Sequence, residues 1–424
     1  MESRIILSGE KMMRRALEGI RVLDLSHVLA APTATMFLAD MGAEVIHVEP
    51  PQGDDAREFG PFIGGPDKNS SAYFISLNRN KKSMVLDLKH DKGKEILRAL
   101  IAVSDVLVEN FRPATMSRLG FGWEELQKIN PRIIYATISG FGHDALPGYA
   151  SRPFYDMTAQ AYSGLMSITG PEGGPPCRVG SSIGDIVAGH QAVIGILAAL
   201  MHRRKTGRGQ HYDGSMVDGL FAVLENAVVR YTTGGEIPAP LGCRHPAITP
   251  FQDFKTKDAA IVVAIGNDTL WKKFCEAIGR EDLAQDVRYK TNTLRTQHVG
   301  ELIPILGDVL ASKTTREWSD IFESAELPYS PINSVRDICE DPHIRYRKML
   351  VEIDQPVAGK MTIAGSPIRL SETPGEVFAP APLLGQHSEE VLRNILGYSR
   401  DEIDRLRQEG VITPEESGLQ ASSR

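Results

Sequence analysis

Asp185 stands where a turn of small residues runs into an apolar helix, a position from which a carboxylate could do chemistry. Residues 179–203 read VGSSIGDIVAGHQAVIGILAALMHR, and the apolar residues recur at the spacing of one buried helical face. An ionised carboxylate is costly to bury unless backbone N–H groups or the positive end of a helix dipole stabilise it. Asp185 is therefore either a functional acid or an ordinary cap or first-turn acid, and Ser181 or Ser182 could also cap the helix.

A second group of polar and basic side chains is suited to holding an anion. Its members are His27, Lys81, Asn110, Arg112 and Arg118. Guanidinium and ammonium groups pair well with phosphates. Each residue alone could be ordinary, because a single histidine is often a buried core residue and the basic run at 78–82 could be a solvated turn. Together they could hold one anionic ligand if the fold brings them to one place.

The elements that carry these residues alternate between strand and helix. Residues 20–25 and 44–48 are predicted strands, and residues 32–40 between them a helix. Further strands are predicted at 83–88, 106–108 and 133–138, with helices between them. This order predicts an α/β fold with a Rossmann-like, mostly parallel sheet, in which the turns after Leu25, Val108 and Ile138 meet at one edge. No GxGxxG follows the first strand, so NAD is not expected.

Length and charge exclude several classes of protein. A chain of 424 residues is expected to form two or three domains, and a net charge of −7 without a basic face argues against nucleic-acid binding. The four cysteines are scattered without metal-site spacing, which suits a reducing compartment. We find no apolar run of about 20 residues and no secretory signal, so we expect a soluble, cytoplasmic, non-membrane protein with a flexible N-terminal leader.

The second half of the chain changes in composition. A helix is predicted at 216–231, followed by a long Gly- and Pro-rich loop that we interpret as a crossing between domains. The middle region opens with a strand at 259–264 and contains a capping box between Thr314 and Glu317, which predicts a small α/β or α+β domain. Strands at 349–353 and 360–363, two final helices and a disordered tail after Thr413 complete the prediction.

Motifs along nearly the whole chain resemble the class III CoA-transferase family, the superfamily of formyl-CoA transferase and alpha-methylacyl-CoA racemase. They are LEGIRVLDLSHVLAAP, FLADMGAEVIHVEPP, LNRNKKSMVLDL, VENFRP, GDIVAGHQAVIGILAAL, KTGRGQ and APLLGQHSEEVL. The resemblance implies that residues 1–225 and 329–424 form a large domain around a small domain at 226–328, and that two protomers interlock as a homodimer. A second subunit type is also compatible with it.

The resemblance implies a nucleophilic role for Asp185, which attacks the donor thioester and becomes an enzyme-bound CoA thioester before an acceptor acid reverses the steps. No permanently bound cofactor or metal is then needed. Backbone N–H groups near Gly180 and Gly184 would be available for an oxyanion. The implied CoA-binding residues are His27, Val28, Leu29, Ala30, Leu77, Asn80, Lys81, Asn110, Phe111, Arg112 and Arg118.

The stretches SGLMSITGPEGGPP, YKTNTLR and LPYSPINSV are more similar to members that use succinyl-CoA and dicarboxylic acids. Candidate partners for a second substrate carboxylate are Arg152, Arg178, Arg244 and His245, each of which could instead be a surface or interdomain residue. The alternative activity is a 2-methylacyl-CoA racemase, but Tyr155 stands before Asp156 where the racemases have a histidine. A non-catalytic CoA-binding subunit is disfavoured by the presence of Asp185.

Overall fold

The computed structural model describes residues 15–65 and 67–412. It divides into two compact units. The large unit comprises Met1–Gly164, Val179–Glu225 and His343–Arg424, and the small unit comprises Leu165–Arg178 and Asn226–Pro342. The predicted tail and most of the predicted leader lie outside the described residues.

The large unit is built on a six-stranded sheet. Its strands are β1 (Arg21–Asp24), β2 (Glu44–Glu49), β3 (Lys82–Val85), β4 (Val106–Glu109), β5 (Ile134–Ser139) and β6 (His211–Ser215). They are ordered β3-β2-β1-β4-β5-β6, and every neighbouring pair is parallel. The predicted α/β fold with a parallel sheet is confirmed.

The helices of the large unit between residues 30 and 222 follow or connect these strands. They are α1 (Ala30–Asp40), α2 (Ala72–Asn78), α3 (Asp91–Ala102), α4 (Thr115–Arg118), α5 (Trp123–Ile129), α6 (Asp156–Tyr162), α7 (Ile183–Thr206) and α8 (Met216–Ala222). The helix predicted over 216–231 is broken, because Glu225 adopts a left-handed conformation with φ of 55° and a separate helix begins at Asn226.

The small unit combines helices with an antiparallel sheet. Its helices are α9 (Asn226–Thr232), α10 (Asp268–Ala277), α11 (Glu281–Gln285), α12 (Asn292–Gln297), α13 (Val299–Leu310), α14 (Thr315–Ser324) and α15 (Val335–Glu340). Its strands are β7 (Phe251–Lys255), β8 (Ala260–Ala264) and β9 (Tyr329–Pro331), in that order and antiparallel. The unit is therefore α+β, because a short turn joins β7 to β8 as a hairpin, which a parallel pair does not allow. The predicted capping box of Thr314 and Glu317 begins α14.

Two predicted domain boundaries are corrected. The return to the large unit starts at His343 rather than 329, because β9 pairs with β8 of the small unit. Leu165–Arg178 was predicted within the large domain but belongs to the small unit. There the N–H of Gly242 donates to the carbonyl of Gly170, and Arg244 pairs with Glu172.

The C-terminal return completes the large unit. It contains α16 (Pro342–Tyr346), β10 (Leu350–Gln355), β11 (Gly359–Ala364), α17 (Ser388–Asn394) and α18 (Arg400–Gln408). The two predicted strands form an antiparallel hairpin, β10–β11. Val391 of α17 and Ile403 of α18 are buried in the same apolar cluster as Leu23 of β1 and Leu97 of α3. Both ends of the chain therefore contribute to one core, and burying this apolar surface is what stabilises it.

Among the described residues one helix, α7, is long and apolar enough to cross a membrane by length and composition alone. A helix of this kind differs from the expectation that no stretch of the chain is long and apolar enough to span a membrane. A core helix meets the same criterion, and α7 packs along α1, β5 and β6.

Candidate active site

A cavity of about 240 Å³ lies at the edge of the sheet where the strand order reverses, between β1 and β4. Open parallel sheets bind ligands at this point, outside the carboxyl ends of the strands. The cavity is lined mainly by residues 27–30 after β1, 110–113 after β4, 138–140 at the end of β5, and 150 and 152–155, together with Asp185 of α7. The structure thus brings the acid and the predicted turns to one place.

Most of the predicted site residues line this cavity. They are His27, Val28, Leu29, Ala30, Asn110, Phe111, Arg112 and Asp185. Leu77, Asn80, Lys81 and Arg118 do not belong to its lining. A larger cavity of about 780 Å³ is lined only by residues of the small unit, and none of these candidates is among them.

The side chain of Asn110 fixes the turn after β1 to the turn after β4. The N–H of His27 donates to Oδ1 of Asn110 at 2.8 Å, and Nδ2 of Asn110 donates to the carbonyl of His27, also at 2.8 Å. The His27 ring lies 5.2 Å from the ring of Phe111. Burial lowers the pKa of His27, so its imidazole is neutral at pH 7.

Val28 is held in a conformation that a β-branched residue rarely adopts. Its φ is 66°, in the left-handed region. Its N–H donates to both carboxylate oxygens of Asp54, at 3.1 and 3.3 Å. Strained backbone of this kind persists only where surrounding structure imposes it, and it concentrates at functional sites. Asp54, which the sequence analysis did not single out, therefore shapes the turn that lines the cavity.

Glu109 is a second acid that the sequence analysis missed. It is the last residue of β4 and is buried. The N–H of Phe111 and the hydroxyl of Tyr135 each donate to its carboxylate at 2.6 Å. Burial raises its pKa to about 7, although these two hydrogen bonds oppose the shift. Glu109 thus holds the turn after β4 in place, and its location at the carboxyl end of a strand, within VENFRP, was the available signal.

Asp185 reaches the cavity because α7 crosses α1 closely. One turn beyond Asp185, a Cβ atom on Gly189 would lie 2.7 Å from the carbonyl oxygen of Ala30 and 2.9 Å from Cβ of Thr33. No real side chain tolerates such contacts, so glycine is required for this approach. The first turn of α7 therefore lies beside the turn at residues 27–30.

Asp156 caps α7 in place of the predicted serines. Its Oδ1 accepts a hydrogen bond from the N–H of Gly184 at 2.8 Å, and its Oδ2 accepts one from Nε2 of Gln160, also at 2.8 Å. Ser182 occupies the N-cap position but makes no capping hydrogen bond with its side chain. Because the Gly184 N–H is taken by Asp156, it is not free to bind an oxyanion as expected.

The carboxylate of Asp185 lies in the first turn of α7 and accepts no hydrogen bond from any residue that the structure describes. Burial, followed by the charge of Asp156, raises its pKa to about 7. A carboxylate with a raised pKa is a stronger nucleophile than an ordinary aspartate, and here it faces an open cavity. Asp185 is therefore placed to attack a bound electrophile, and the structure gives it no structural hydrogen bond to maintain.

Lys81 lies in a buried cluster of charges that is not part of the cavity lining. Its ammonium group is 3.1 Å from Asp24, 2.8 Å from the hydroxyl of Thr35 and 2.9 Å from Oδ1 of Asn78. His47 lies between Asp24 and Asp54, 3.3 and 3.6 Å away. Burial lowers the pKa of His47, but these two carboxylates outweigh it and raise the pKa to about 9. Lys81 thus neutralises buried carboxylates, which favours a structural role over a contact with phosphate.

The other predicted CoA-binding residues outside the lining have local roles. The side chain of Asn80 donates to Asp40 and to the carbonyl of Glu376, both at 2.8 Å. Arg118 is exposed at the end of α4 and donates to the hydroxyl of Thr115. Leu77 lies in α2 and is partly buried. For these three residues, CoA binding stays a prediction.

The four predicted partners for a substrate carboxylate fall in different units of the chain. Arg178, Arg244 and His245 belong to the small unit, where Arg244 is paired with Glu172. Only Arg152 of the four lines the cavity that contains Asp185.

Metal binding finds no support in the part of the chain that the structure describes. No group of three or more His, Cys, Asp or Glu residues there is arranged to hold a metal ion. The four cysteines are free thiols, two exposed, one partly buried and one buried.

The chain matches a family model, the sequences of known proteins and a solved structure. The family model described as CoA-transferase family III matches residues 17–388. Succinyl-CoA:glutarate CoA-transferase of Mus musculus is 40% identical over 405 residues, covering 95% of this chain and 92% of the relative. Succinyl-CoA:mesaconate CoA-transferase of Haloarcula hispanica is 41% identical over 382 residues, covering 89% of this chain and 96% of the relative. The crystal structure of a CAIB/BAIF family protein from Brucella suis superposes with a TM-score of 0.79 at 34% identity, covering 90% of this chain and 100% of that one.

Proposed function

Because this chain belongs to CoA-transferase family III, we propose that it moves CoA from succinyl-CoA to a dicarboxylic acid through an aspartyl-CoA thioester on Asp185. The chain is an enzyme of the transferase class. The observation that carries the proposed mechanism is the carboxylate of Asp185, which faces the cavity without a hydrogen-bond partner among the described residues. Relatives named for glutarate and mesaconate support a dicarboxylic acceptor.

The chemistry conserves the thioester. Asp185 attacks the thioester carbonyl of succinyl-CoA, and CoA thiolate leaves as a mixed anhydride forms. The thiolate then attacks the aspartyl carbonyl, which gives aspartyl-CoA and releases succinate. The acceptor carboxylate attacks this thioester, CoA thiolate leaves, and a second anhydride forms. The thiolate finally attacks the acyl carbonyl of this anhydride. New acyl-CoA and the free Asp185 carboxylate result, so the reaction requires no ATP, metal or permanently bound cofactor.

The turns at 27–30 and 110–112 are the proposed site of the CoA moiety. They line the cavity beside Asp185, and the side chain of Asn110 locks them together. Arg112 is exposed in the second turn and would pair with a phosphate or the pantetheine arm. We extend the proposal to Leu77, Asn80 and Arg118 only on the resemblance to the family, whereas the buried contacts of Lys81 favour a structural role.

Racemisation of an acyl-CoA is the alternative that the site disfavours. Removal of an alpha proton requires acid/base groups on both sides of the carbon. Tyr155 stands where the racemases have a histidine, so the imidazole base is missing on one side. The carboxylate of Asp156 is already bound to Gly184 and Gln160. Exchange of the alpha proton in deuterated water, without any enzyme adduct, would favour the racemase.

We also propose a cytoplasmic homodimer with interlocked protomers, and a second subunit type stays the alternative. Large apolar side chains are exposed on both units, including Ile194 and Met201 on α7 and Ile237 in the small unit. Exposed apolar surface of this kind marks interaction sites. Sedimentation of the purified chain alone as a dimer supports this assembly, whereas activity that appears only with a second polypeptide contradicts it.

The direct test of the proposed function is intact-protein mass after mixing with succinyl-CoA alone, followed by borohydride or hydroxylamine treatment and peptide mapping. The expected result is a CoA adduct, or its reduced or hydroxamate derivative, confined to the peptide that contains Asp185. Absence of an adduct with succinyl-CoA and other acyl-CoA donors would contradict the transferase mechanism.

The rate of adduct formation should rise with pH through about 7. Only ionised Asp185 is nucleophilic, and its pKa is raised to about 7, so the ionised fraction increases about tenfold from pH 6 to pH 8. Single-turnover rates measured by quenched-flow mass spectrometry check this. Glu109 also has a pKa of about 7, and the Glu109→Gln variant is the control. Loss of the pH dependence in this variant would assign the titration to Glu109.

A further inference from the structure

Arg152 places a positively charged guanidinium group at the cavity that contains Asp185. It lines the cavity with Asp185, and it forms no ion pair with any residue of the described chain. Arg244, by contrast, is bound to Glu172. An unpaired guanidinium beside a reacting carboxylate is a receptor for a second anion.

The guanidinium is held in position by neutral groups. Its Nε donates to the carbonyl of Gly148 at 3.2 Å, and its carbon lies 4.1 Å from the ring centroid of Tyr149. A second ring, that of Phe141, lies 5.7 Å away. Cation–π contacts of this kind orient the group without neutralising its charge. The positive charge of Arg152 therefore remains available to a ligand.

The segment that carries Arg152 is tied to the helix that carries Asp185. Phe154 packs so closely on Gly140 that a Cβ there would lie 2.5 Å from the ring, which seats the segment on the turn after β5. Two residues further, Asp156 binds the N–H of Gly184, directly before Asp185. Arg152 thus belongs to the side of the cavity that is linked to the nucleophile. Arg112 belongs to the turn that is clamped to His27.

We propose that Arg152 binds the non-reacting carboxylate of dicarboxylic substrates and thereby selects them over monocarboxylic ones. The inference rests on the proposed transferase function and deepens it. Succinate leaves before the acceptor enters, so one cation serves both the succinyl group of the donor and the distal carboxylate of the acceptor. Without it, a dianionic acceptor would approach the site with an uncompensated negative charge near Asp156.

The test compares substrates that differ only by a methyl group in place of the distal carboxylate. Butyryl-CoA is the analogue of succinyl-CoA, and pentanoate is the analogue of glutarate. Arg152→Gln should lower kcat/KM for succinyl-CoA and glutarate about 10- to 100-fold, the loss expected for a hydrogen bond to a charged group. The values for butyryl-CoA and pentanoate should change less than about threefold, because the transition state for these substrates gains nothing from Arg152.

Three further variants sharpen the comparison. Arg152→Lys keeps the charge without the planar fork and should restore part of the preference for dicarboxylates. Arg204→Gln removes an exposed arginine from the last turn of α7 and should leave both substrate classes unchanged. Arg112→Gln should impair succinyl-CoA and butyryl-CoA equally, since its proposed contact is with CoA.

Two failures can be told apart. If the wild-type chain forms no adduct on Asp185, the proposed function fails. If the wild type forms the adduct and Arg152→Gln loses equal activity with both substrate classes, or keeps its preference for dicarboxylates, the function stands and the role of Arg152 is overturned. Circular dichroism of each variant identifies a loss that comes from unfolding.

Discussion

Asp185→Asn is expected to abolish CoA transfer and formation of the covalent adduct, lowering kcat by roughly 10⁴-fold or more. The amide is isosteric with the carboxylate but is not a nucleophile, so neither the anhydride nor the thioester can form. Intact mass after mixing with succinyl-CoA and steady-state transfer to glutarate measure the two losses. Asp91→Asn is the matched control, because it also neutralises a first-turn helix acid, in α3, and Asp91 lies outside the cavity lining.

The same variant should be more stable than the wild type at alkaline pH. The pKa of Asp185 is about 7 in the folded chain, against the ordinary value of 3.8. The native state therefore retains a proton that the unfolded state has lost, and stability falls as pH rises between these two values. Removing the ionisable group should raise the free energy of unfolding at pH 8 by about 2 to 4 kcal/mol.

Denaturant titrations of Asp185→Asn and the wild type at pH 6 and pH 8 measure this gain. Taking the difference between the two proteins cancels the titration of all other groups. The gain should be smaller at pH 6, where Asp185 is mostly protonated. If the variant is less stable than the wild type, or is stabilised equally at both pH values, burial does not raise the pKa of Asp185. The nucleophile would then have an ordinary pKa, and its reactivity would need another source.

The convergence of the site was predictable because it follows from a general property of parallel sheets. His27 follows β1 and Asn110 follows β4, and these strands are neighbours in the sheet. The carboxyl ends of adjacent parallel strands meet at one edge whatever the details of packing. The role of Asp185 depended on the resemblance, because spacing alone left a first-turn acid as an equal possibility.

The cap of α7 was not predictable from local sequence. Ser181 and Ser182 have good capping side chains, yet Asp156 supplies the hydrogen bond to Gly184 from α6. An N–H at a helix start can donate to any well-placed oxygen, so a tertiary contact can replace a local one. The interruption after α8 at Glu225 likewise has no Gly or Pro to announce it.

The basic run at 78–82 shows why residue type does not fix residue role. Lys81 is fully enclosed by Asp24, Thr35 and Asn78. The next residue, Lys82, is partly exposed and pairs with Glu44 and Glu390. Lys81 directly precedes β3 and Lys82 is its first residue, so a shift of one position separates a buried lysine from a partly exposed one. The partner acids lie 38 to 308 residues away in sequence, which local reasoning cannot reach.

Lys81→Met should destabilise the large unit by about 3 to 5 kcal/mol, the typical cost of leaving a buried charge unpaired. Asp24 is buried, and Lys81 and His47 hold its pKa well below the ordinary value despite the opposing effect of burial. Loss of the ammonium group leaves that carboxylate with His47 as its remaining cation. Urea titration of the apo-protein measures the loss of stability. A defect in CoA binding alone would leave the stability of the apo-protein unchanged, so the two explanations are distinguished.

Lys82→Met is the matched control, since its ion pairs are partly exposed and such pairs contribute less than about 1 kcal/mol each. In the double variant Lys81→Met, Asp24→Asn the carboxylate is neutralised as well, so stability should recover in part. Unchanged stability of Lys81→Met together with a raised KM for succinyl-CoA would return Lys81 to the CoA site. The buried cluster would then need to open for substrate, because in the present structure no part of the Lys81 side chain is exposed to solvent.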